Sequence, residues 1–291
     1  MEDEVDTQHA QSIPKSVFDK LYNAIIRIEI KNNKATGFFM KTRIKGIQKY
    51  FILSNYHVIS QSDVDQKKDI TIYINETNNE IKKIIKLDKN KRLIKCFDKP
   101  KDVTLIEILK EDNINEDKYL IPDLNYKNEG FNYYVGKNFF LTGYPHSFEY
   151  PKEPHISSGK IDSIKNDFEF KHSLDTRAGS SGSPICLINK FIIGIHKAGN
   201  KELHLNYGTF IGAILDELEK NNSVQQNIFS KKIYLEGRKN HKDIKRDSNI
   251  IFNEEIEFIT KCPFCDNNNW IDWHHVGCPY SYNQKSILKE K

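Results

Sequence analysis

The chain has 291 residues, 38% of them hydrophobic and 29% charged, with a formal net charge of +4. That length suits one large and one small domain, the balance is globular rather than disordered, and the charge is too small to name nucleic acid as a ligand. No basic-then-apolar leader opens the chain and no apolar run reaches the ~18 residues of a membrane span. The expectation is therefore a protein that is neither secreted nor embedded in a membrane.

In chain order, residues 1–16 read as a flexible acidic tail, 17–222 as the main domain, 223–255 as a basic linker and 256–291 as a small metal-binding module. Within the main domain short apolar runs recur between Gly, Pro, Asn and Asp. They are Ala24–Ile30, Gly37–Thr42, Tyr50–Ser54, Ile70–Ile74, Val103–Ile108, Asn138–Thr142, Gly159–Ser163, Ile185–Ile188 and Phe191–Ile195. Such spacing predicts an all-β domain of two packed barrels. Lys82-Lys83 and Lys89–Arg92 read as solvated hairpin tips. Phe210–Lys220 reads as a closing helix with Ile211, Ile214, Leu215 and Leu218 on its apolar face.

Three segments carry the chemistry. Phe51–Ile59 is an apolar strand that runs into a polar turn with His57 at its end. Asp102-Val103-Thr104-Leu105-Ile106 places a carboxylate at the start of a strand, where the apolar run can bury and fix it; Asp88 and Asp98 compete for that role. Thr176–Ile185 surrounds Ser181 with small residues, so the backbone can turn tightly and aim the N–H groups of Gly179 and Ser181 at one point. A serine hydroxyl needs a base to take its proton and donors to hold the oxyanion that forms. His57 as base, Asp102 as its orienting acid, Ser181 as nucleophile and the Gly179 and Ser181 amides as oxyanion hole meet those needs. The chain order His, Asp, Ser belongs to one class of hydrolase; other folds order the same residues differently.

On these motifs residues 20 to about 220 resemble the trypsin-like peptidases of the chymotrypsin clan. The pattern is similar to bacterial glutamyl endopeptidases and picornaviral cysteine proteases. The resemblance implies a double β-barrel of six-stranded type with a C-terminal helix, an active site between the barrels, and endopeptidase activity on a protein or peptide substrate through an acyl-enzyme. In secreted trypsins the residue before the serine is an aspartate that pairs with a new N-terminus. Here that residue is Ser180, so no such charge pair can form. The resemblance also implies that Thr176 and His196 line the primary specificity pocket. A hydroxyl and an imidazole N–H suit a carboxylate or carboxamide, which gives cleavage after Glu or Gln. Lys197 tilts the choice towards Glu. The small residues Ala198 and Gly199 would let an extended substrate pair as an added strand. A second reading of His196 is a hydrogen-bonded core histidine.

Cys186, in a strand after the serine, reads as a buried core residue. Three further cysteines cluster in Cys262-Pro263-Phe264-Cys265 and Trp273-His274-His275-Val276-Gly277-Cys278. Cys262, Cys265, Cys278 and His274, with His275 as the alternative, make a Cys₃His set for a closed structural zinc site; a redox pair would need a surrounding βαβ pattern. Catalysis itself needs no cofactor. The zinc module offers a docking surface for a protein partner. The linker's Lys-Lys, Arg-Lys, His-Lys and Lys-Arg pairs read as a solvated spacer, or as an arm for nucleic acid or an acidic partner. Leu235-Glu236-Gly237 within it suits self-cleavage. The paired thiols suggest a reducing, cytoplasmic setting. The alternative to a peptidase is a zinc-bearing adaptor built on an inactive protease-like scaffold.

Overall fold

The computed structural model describes residues 14–31, 33–76, 79–145, 153–200 and 205–220. The chain divides into two units, Met1–Ser223 and Val224–Lys291, and every described residue lies in the first. The expected acidic tail up to residue 13, basic linker and zinc module lie outside the described residues.

The first half opens with helix α1 (Lys15–Ala24), which buries Val17, Leu21 and Ala24 at helical spacing. Strands β1 (Ile25–Ile30), β2 (Asn33–Ile44) and β3 (Ile47–Ser54) follow, then the short helix α2 (Gln61–Asp65). Strands β4 (Asp69–Glu76), β5 (Asn79–Lys86), β6 (Ile94–Phe97) and β7 (Val103–Glu107) complete a seven-stranded antiparallel sheet ordered β5-β4-β1-β2-β3-β7-β6. The second half contributes β8 (Ile121–Pro122), the one-turn α3 (Tyr126–Glu129) and strands β9 (Asn138–Gly143), β10 (His155–Ile164) and β11 (Glu169–His172). It ends with β12 (Pro184–Cys186), β13 (Phe191–Asn200), β14 (Leu205–Phe210) and helix α4 over residues 211–220.

Strands β12-β9-β10-β11-β14-β13 form a ring closed by the β12–β13 pairing, so the second sheet is a six-stranded barrel with β8 attached alongside β13. The first sheet differs from the expected six-stranded barrel: it has seven strands, and among the described residues no ladder joins β5 to β6. Closure removes both edges of a sheet. Among the described residues one sheet has it and the other does not.

Three apolar clusters build the core. One fills the first sheet around Ile28, Phe39, Ile52 and Ile106. A second fills the barrel around Phe139, Phe170, Ile193 and Phe210. The third joins the two sheets, bringing Phe38, Phe51 and Leu105 of the first against Phe140, Cys186, Ile195 and the α4 residues Ile211, Ile214, Leu215 and Leu218. Cys186 is fully buried as expected, and burial pushes its thiol pKa up. A buried polar relay crosses the same boundary. Tyr144 Oη donates to Asn75 Oδ1 at 2.9 Å, and Asn75 Nδ2 donates to the Tyr22 carbonyl at 3.0 Å.

Lys89–Lys91 lie exposed in the turn between β5 and β6 as expected, whereas Lys82-Lys83 and Arg92 depart from expectation. Lys82-Lys83 lies inside β5, not at a hairpin tip, and Lys83 Nζ donates to the carbonyls of Asp112 and Asn113 at 2.9 and 2.8 Å. Arg92 is buried and forks on to Asp112 at 2.8 and 3.1 Å. A paired guanidinium can be buried where a free one cannot. Among the described residues no helix is long and apolar enough to cross a membrane.

Candidate active site

Strands β3 and β7 pair antiparallel, with Ser54 opposite Thr104. That register brings the turn after β3 and the residue before β7 to one end of the sheet. Asn55 Nδ2 ties the two together by donating to the Asp102 carbonyl at 2.9 Å. Asp102 sits at φ 58°, and its N–H donates to the Asp98 carbonyl at 3.0 Å. Aspartate tolerates that left-handed backbone better than most residues. So held, its carboxylate takes two hydrogen bonds from one residue: Oδ1 accepts the His57 backbone N–H at 2.9 Å, and Oδ2 lies 2.7 Å from His57 Nδ1.

Two consequences follow. The carboxylate places the ring proton on Nδ1, which leaves Nε2 free to accept. The pair is also unequal in exposure, the Asp102 side chain being 8% exposed and that of His57 43%. A buried acid behind a half-open imidazole is what an orienting acid and an accessible base require. Of the competing acids, Asp88 pairs with Lys67 at 3.4 Å, and Asp98 supports the site through its carbonyl.

Ser181 lies in the loop between β11 and β12. Within the loop Ser180 N–H donates to the Arg177 carbonyl and Ser183 N–H to the Ser180 carbonyl, both at 3.0 Å. Gly179 and Gly182 take φ of +94° and +86°, which side-chain-bearing residues resist. Among the described residues, the loop's own backbone bonds leave the N–H groups of Gly179 and Ser181 unused. Ser180, the residue that lacks a charge, is buried, and its Oγ accepts the Arg177 N–H at 3.2 Å.

The loop is strapped to β2 of the other sheet. Thr36 N–H donates to the Ser181 carbonyl at 3.0 Å, and Thr36 Oγ1 donates to the Gly179 carbonyl at 2.9 Å. The Thr36 carbonyl in turn accepts Ser54 Oγ at 2.9 Å, three residues before His57. A Cβ on Gly182 would stand 2.0 Å from that carbonyl and 2.7 Å from Ser54 Oγ, so only glycine lets the serine loop approach. On the far side Gly182 N–H donates to the His196 carbonyl at 3.0 Å. Thus the His57 turn and the Ser181 loop share one neighbourhood. Among the described residues no hydrogen bond joins Ser181 Oγ to the His57 ring.

The expected pocket residues fall into two groups. Thr176 Oγ1 donates to Asn206 Oδ1 at 2.8 Å, and Asn206 Nδ2 donates to the Leu174 carbonyl at 2.8 Å. Asn206 is paired with Gly199 in the β13–β14 ladder, where a Cβ on Gly199 would meet Asn206 Oδ1 at 2.6 Å. His196 is buried, with Nδ1 3.2 Å from His172 Nε2. Burial first, then the nearby charge of His57, lowers the His196 pKa to about 4. Burial first and then His196 likewise hold His172 well below the ordinary histidine value. Ala198 and Gly199 pair with Tyr207 and Asn206 on one side, whereas the β12 ladder ends at Ile195. Lys197 does not lend its charge to the pocket. Its Nζ pairs with Glu169 Oε1 at 2.5 Å and donates to the Pro100 carbonyl at 2.7 Å, so the tilt towards Glu that it suggested is withdrawn.

Asn206 and His172 were missed from sequence. Neither sits in a turn or motif that marks it; each gains its place through cross-strand neighbours. Asp175, six residues before Ser181, lines a cavity of about 160 Å³ together with Thr176, His155, Arg177 and Ser180; His196 does not line it. The candidate zinc ligands lie outside the described residues. Among the described residues no group of three or more His, Cys, Asp or Glu side chains could hold a metal.

The model of the trypsin-like peptidase domain matches residues 35–195. No curated protein matches the chain. Among solved structures, the serine endoprotease from Yersinia pestis is similar with a TM-score of 0.52 at 13% identity, covering 73% of this chain and 69% of that one. Deg5 is similar with a TM-score of 0.51 at 18% identity, covering 69% and 90%. Identities this low speak for the fold alone. The narrower likeness to glutamyl endopeptidases and picornaviral proteases rests on Thr176 and His196, not on these matches. Since the family match spans more than half of the chain, the protein belongs to the trypsin-like peptidases and is a serine peptidase domain of chymotrypsin-like fold.

Proposed function

We propose that Ser181, His57 and Asp102 hydrolyse peptide bonds after Glu or Gln. Ser181 Oγ attacks the scissile carbonyl carbon while His57 Nε2 takes its proton. The tetrahedral oxyanion is held by the Gly179 and Ser181 amides. Collapse breaks the C–N bond, and the imidazolium returns the proton to the leaving amine. Water then repeats the sequence on the acyl-serine and restores the hydroxyl. Asp102 steadies the imidazolium and keeps the proton on Nδ1. The observation that carries this reading is the double grip of the buried Asp102 carboxylate on His57, beside a serine loop strapped to the strand pair that ends in that histidine.

The Glu or Gln preference is supported by the histidine pair. His172 Nδ1 is buried with no hydrogen-bond partner. With the His172 proton on Nε2, that nitrogen donates to His196 Nδ1, while the Tyr207 backbone interacts with both rings. His196 then carries its own proton on Nε2 and offers a donor to a side-chain carbonyl or carboxylate. Thr176 has given its proton to Asn206, so its oxygen accepts, which suits the N–H₂ of Gln. This shifts the balance from Glu towards Gln. The edge of Ala198 and Gly199, unpaired among the described residues, suits an extended substrate paired as an added strand.

Kinetics test both parts. Ser181→Ala should lower kcat on the order of a million-fold, and Asp102→Asn about ten-thousand-fold. A peptide library varied at the residue before the cut should favour Gln and Glu over Arg and Phe, and His196→Ala should erase that preference. A preference for Arg would move the specificity role to Asp175 and remove it from His196.

The neutral histidines also predict a pH dependence of stability. Folded His196 takes its proton near pH 4, an unfolded histidine near 6.5. Between those values the unfolded chain binds more protons, so stability is full above pH 6.5 and falls as the pH drops towards 4. Urea midpoints measured from pH 7 to 4.5 should decline more steeply for wild type than for His196→Gln. Parallel declines would contradict a histidine that is neutral in the fold.

For the 256–291 module the reading is a structural zinc held by Cys262, Cys265, Cys278 and His274, with His275 as the alternative, carried by ligand spacing. Elemental analysis should find one zinc per chain and none in Cys262→Ser; equal content in both would reject it. A protein partner bound through this module, and nucleic acid bound through the basic linker, remain proposals of the sequence.

A further inference from the structure

Secreted trypsins lock their oxyanion loop with a charged residue before the serine. Ser180 cannot do so, and its hydroxyl is spent locally on the Arg177 N–H. Something else must hold two amides in place against the loop's own flexibility. The structure assigns that task to Thr36.

Thr36 is fully buried on β2, at the boundary between the sheets. Each of its polar groups is in use. Its N–H donates to the Ser181 carbonyl and its Oγ1 donates to the Gly179 carbonyl, at 3.0 and 2.9 Å. The same Oγ1 accepts the Tyr144 N–H at 2.9 Å, just after β9 of the barrel. Its carbonyl accepts Ser54 Oγ. One residue of the first sheet therefore fixes both carbonyls that flank Ser180, and its hydroxyl is itself aimed by a backbone amide of the second sheet. Because a peptide unit is planar, fixing the Gly179 carbonyl fixes the orientation of the Gly179–Ser180 unit. That unit lies between the two amides assigned to the oxyanion hole.

Charge is not required for this. The hydroxyl is desolvated and cannot exchange its partners for water, and a buried carbonyl left without a donor is costly. Thr36 is thus a positioning residue: it touches no reacting atom but sets where the donors point. Its β-branched shape restricts χ1, which adds to the preorganisation. The inference rests on Ser181 as nucleophile and Gly179 and Ser181 as oxyanion donors.

Two variants separate the hydroxyl from the shape. Thr36→Val keeps the branched outline and removes the hydroxyl; Thr36→Ser keeps the hydroxyl and removes the methyl. Each is measured for kcat and KM on a peptide substrate, and for affinity towards a peptidyl aldehyde, whose hemiacetal oxygen needs the oxyanion hole. Thr36→Val should lose about 10- to 100-fold in kcat, keep KM within about threefold, and weaken aldehyde binding by a similar factor to the loss in kcat. Thr36→Ser should stay within about threefold of wild type in every constant. Full kcat in Thr36→Val would overturn the proposal. So would a kcat loss with unchanged aldehyde affinity. Should Thr36→Val not fold, Thr36→Ser decides: a tenfold loss of kcat in that folded variant would assign Thr36 to packing. Ser181→Ala runs alongside. Wild-type turnover that survives it would sink the nucleophile assignment itself, whereas failure of the Thr36 variants alone leaves that assignment standing.

Discussion

Each half of the candidate site is held by the sheet that did not build it. The Ser181 loop belongs to the barrel, yet its carbonyls are fastened to Thr36 on β2. The Asp102 turn belongs to the first sheet, yet the carbonyls of Pro100 and Lys101 accept Lys197 Nζ and Thr209 Oγ1 from the barrel, at 2.7 and 2.6 Å. Lys101 also pairs with Glu217 on α4. This reciprocal strapping is the constraint on which the rest depends. Two sheets joined by an apolar cluster alone could slide by a fraction of an ångström at small cost, because dispersion is weakly directional. Hydrogen bonds between buried groups are directional and costly to leave unmade. They convert adhesion between sheets into register between side chains.

The electrostatic design follows from the same arrangement. Asp102 is buried in a turn tied down by Asn55, Lys197 and Thr209. Its charge is compensated by hydrogen bonds from a single residue, so it fixes the imidazole in rotation and tautomer. His57 remains half-open, with its Nδ1 edge taken by Asp102. Behind it, His196 and His172 are kept uncharged by burial, so no second positive charge competes with an imidazolium on His57. The Lys197 charge, which would stand next in line, is spent on Glu169. In the proposed reading, neutral polar groups rather than net charge read the substrate.

How much of this was legible in the sequence depends on the range of the contacts involved. The His57, Asp102 and Ser181 segments announce themselves because each places a polar residue where an apolar run meets a turn, a signal contained in a few neighbouring residues. The strands with apolar faces were found for the same reason, and helix α4 through its four apolar positions. Three of the missed elements carry the opposite signal; β6, β8 and β14 were missed as well. Strand β5 is dominated by exposed lysines and isoleucines at the edge of the sheet, β11 is Glu-Phe-Lys-His, and α1 shows its apolar stripe only at Val17, Leu21 and Ala24. Thr36 was equally invisible as a strut. Its partners lie 143 and 108 residues away, and nothing in Ala35-Thr36-Gly37 says that they will meet. The same holds for Asn206 beside Thr176 and for His172 beside His196. Sequence exposes the candidates for the chemistry; the residues that would aim them are assembled by the fold.

The convergence of these distant groups is tested most directly by a fluorophosphonate that forms a stable adduct with an activated serine. After brief exposure, peptide mapping by mass spectrometry should locate one adduct, on Ser181, in the wild-type protein. No adduct should form in folded His57→Ala. An adduct on another serine, or equal labelling of Ser181 with and without the imidazole, would contradict the account.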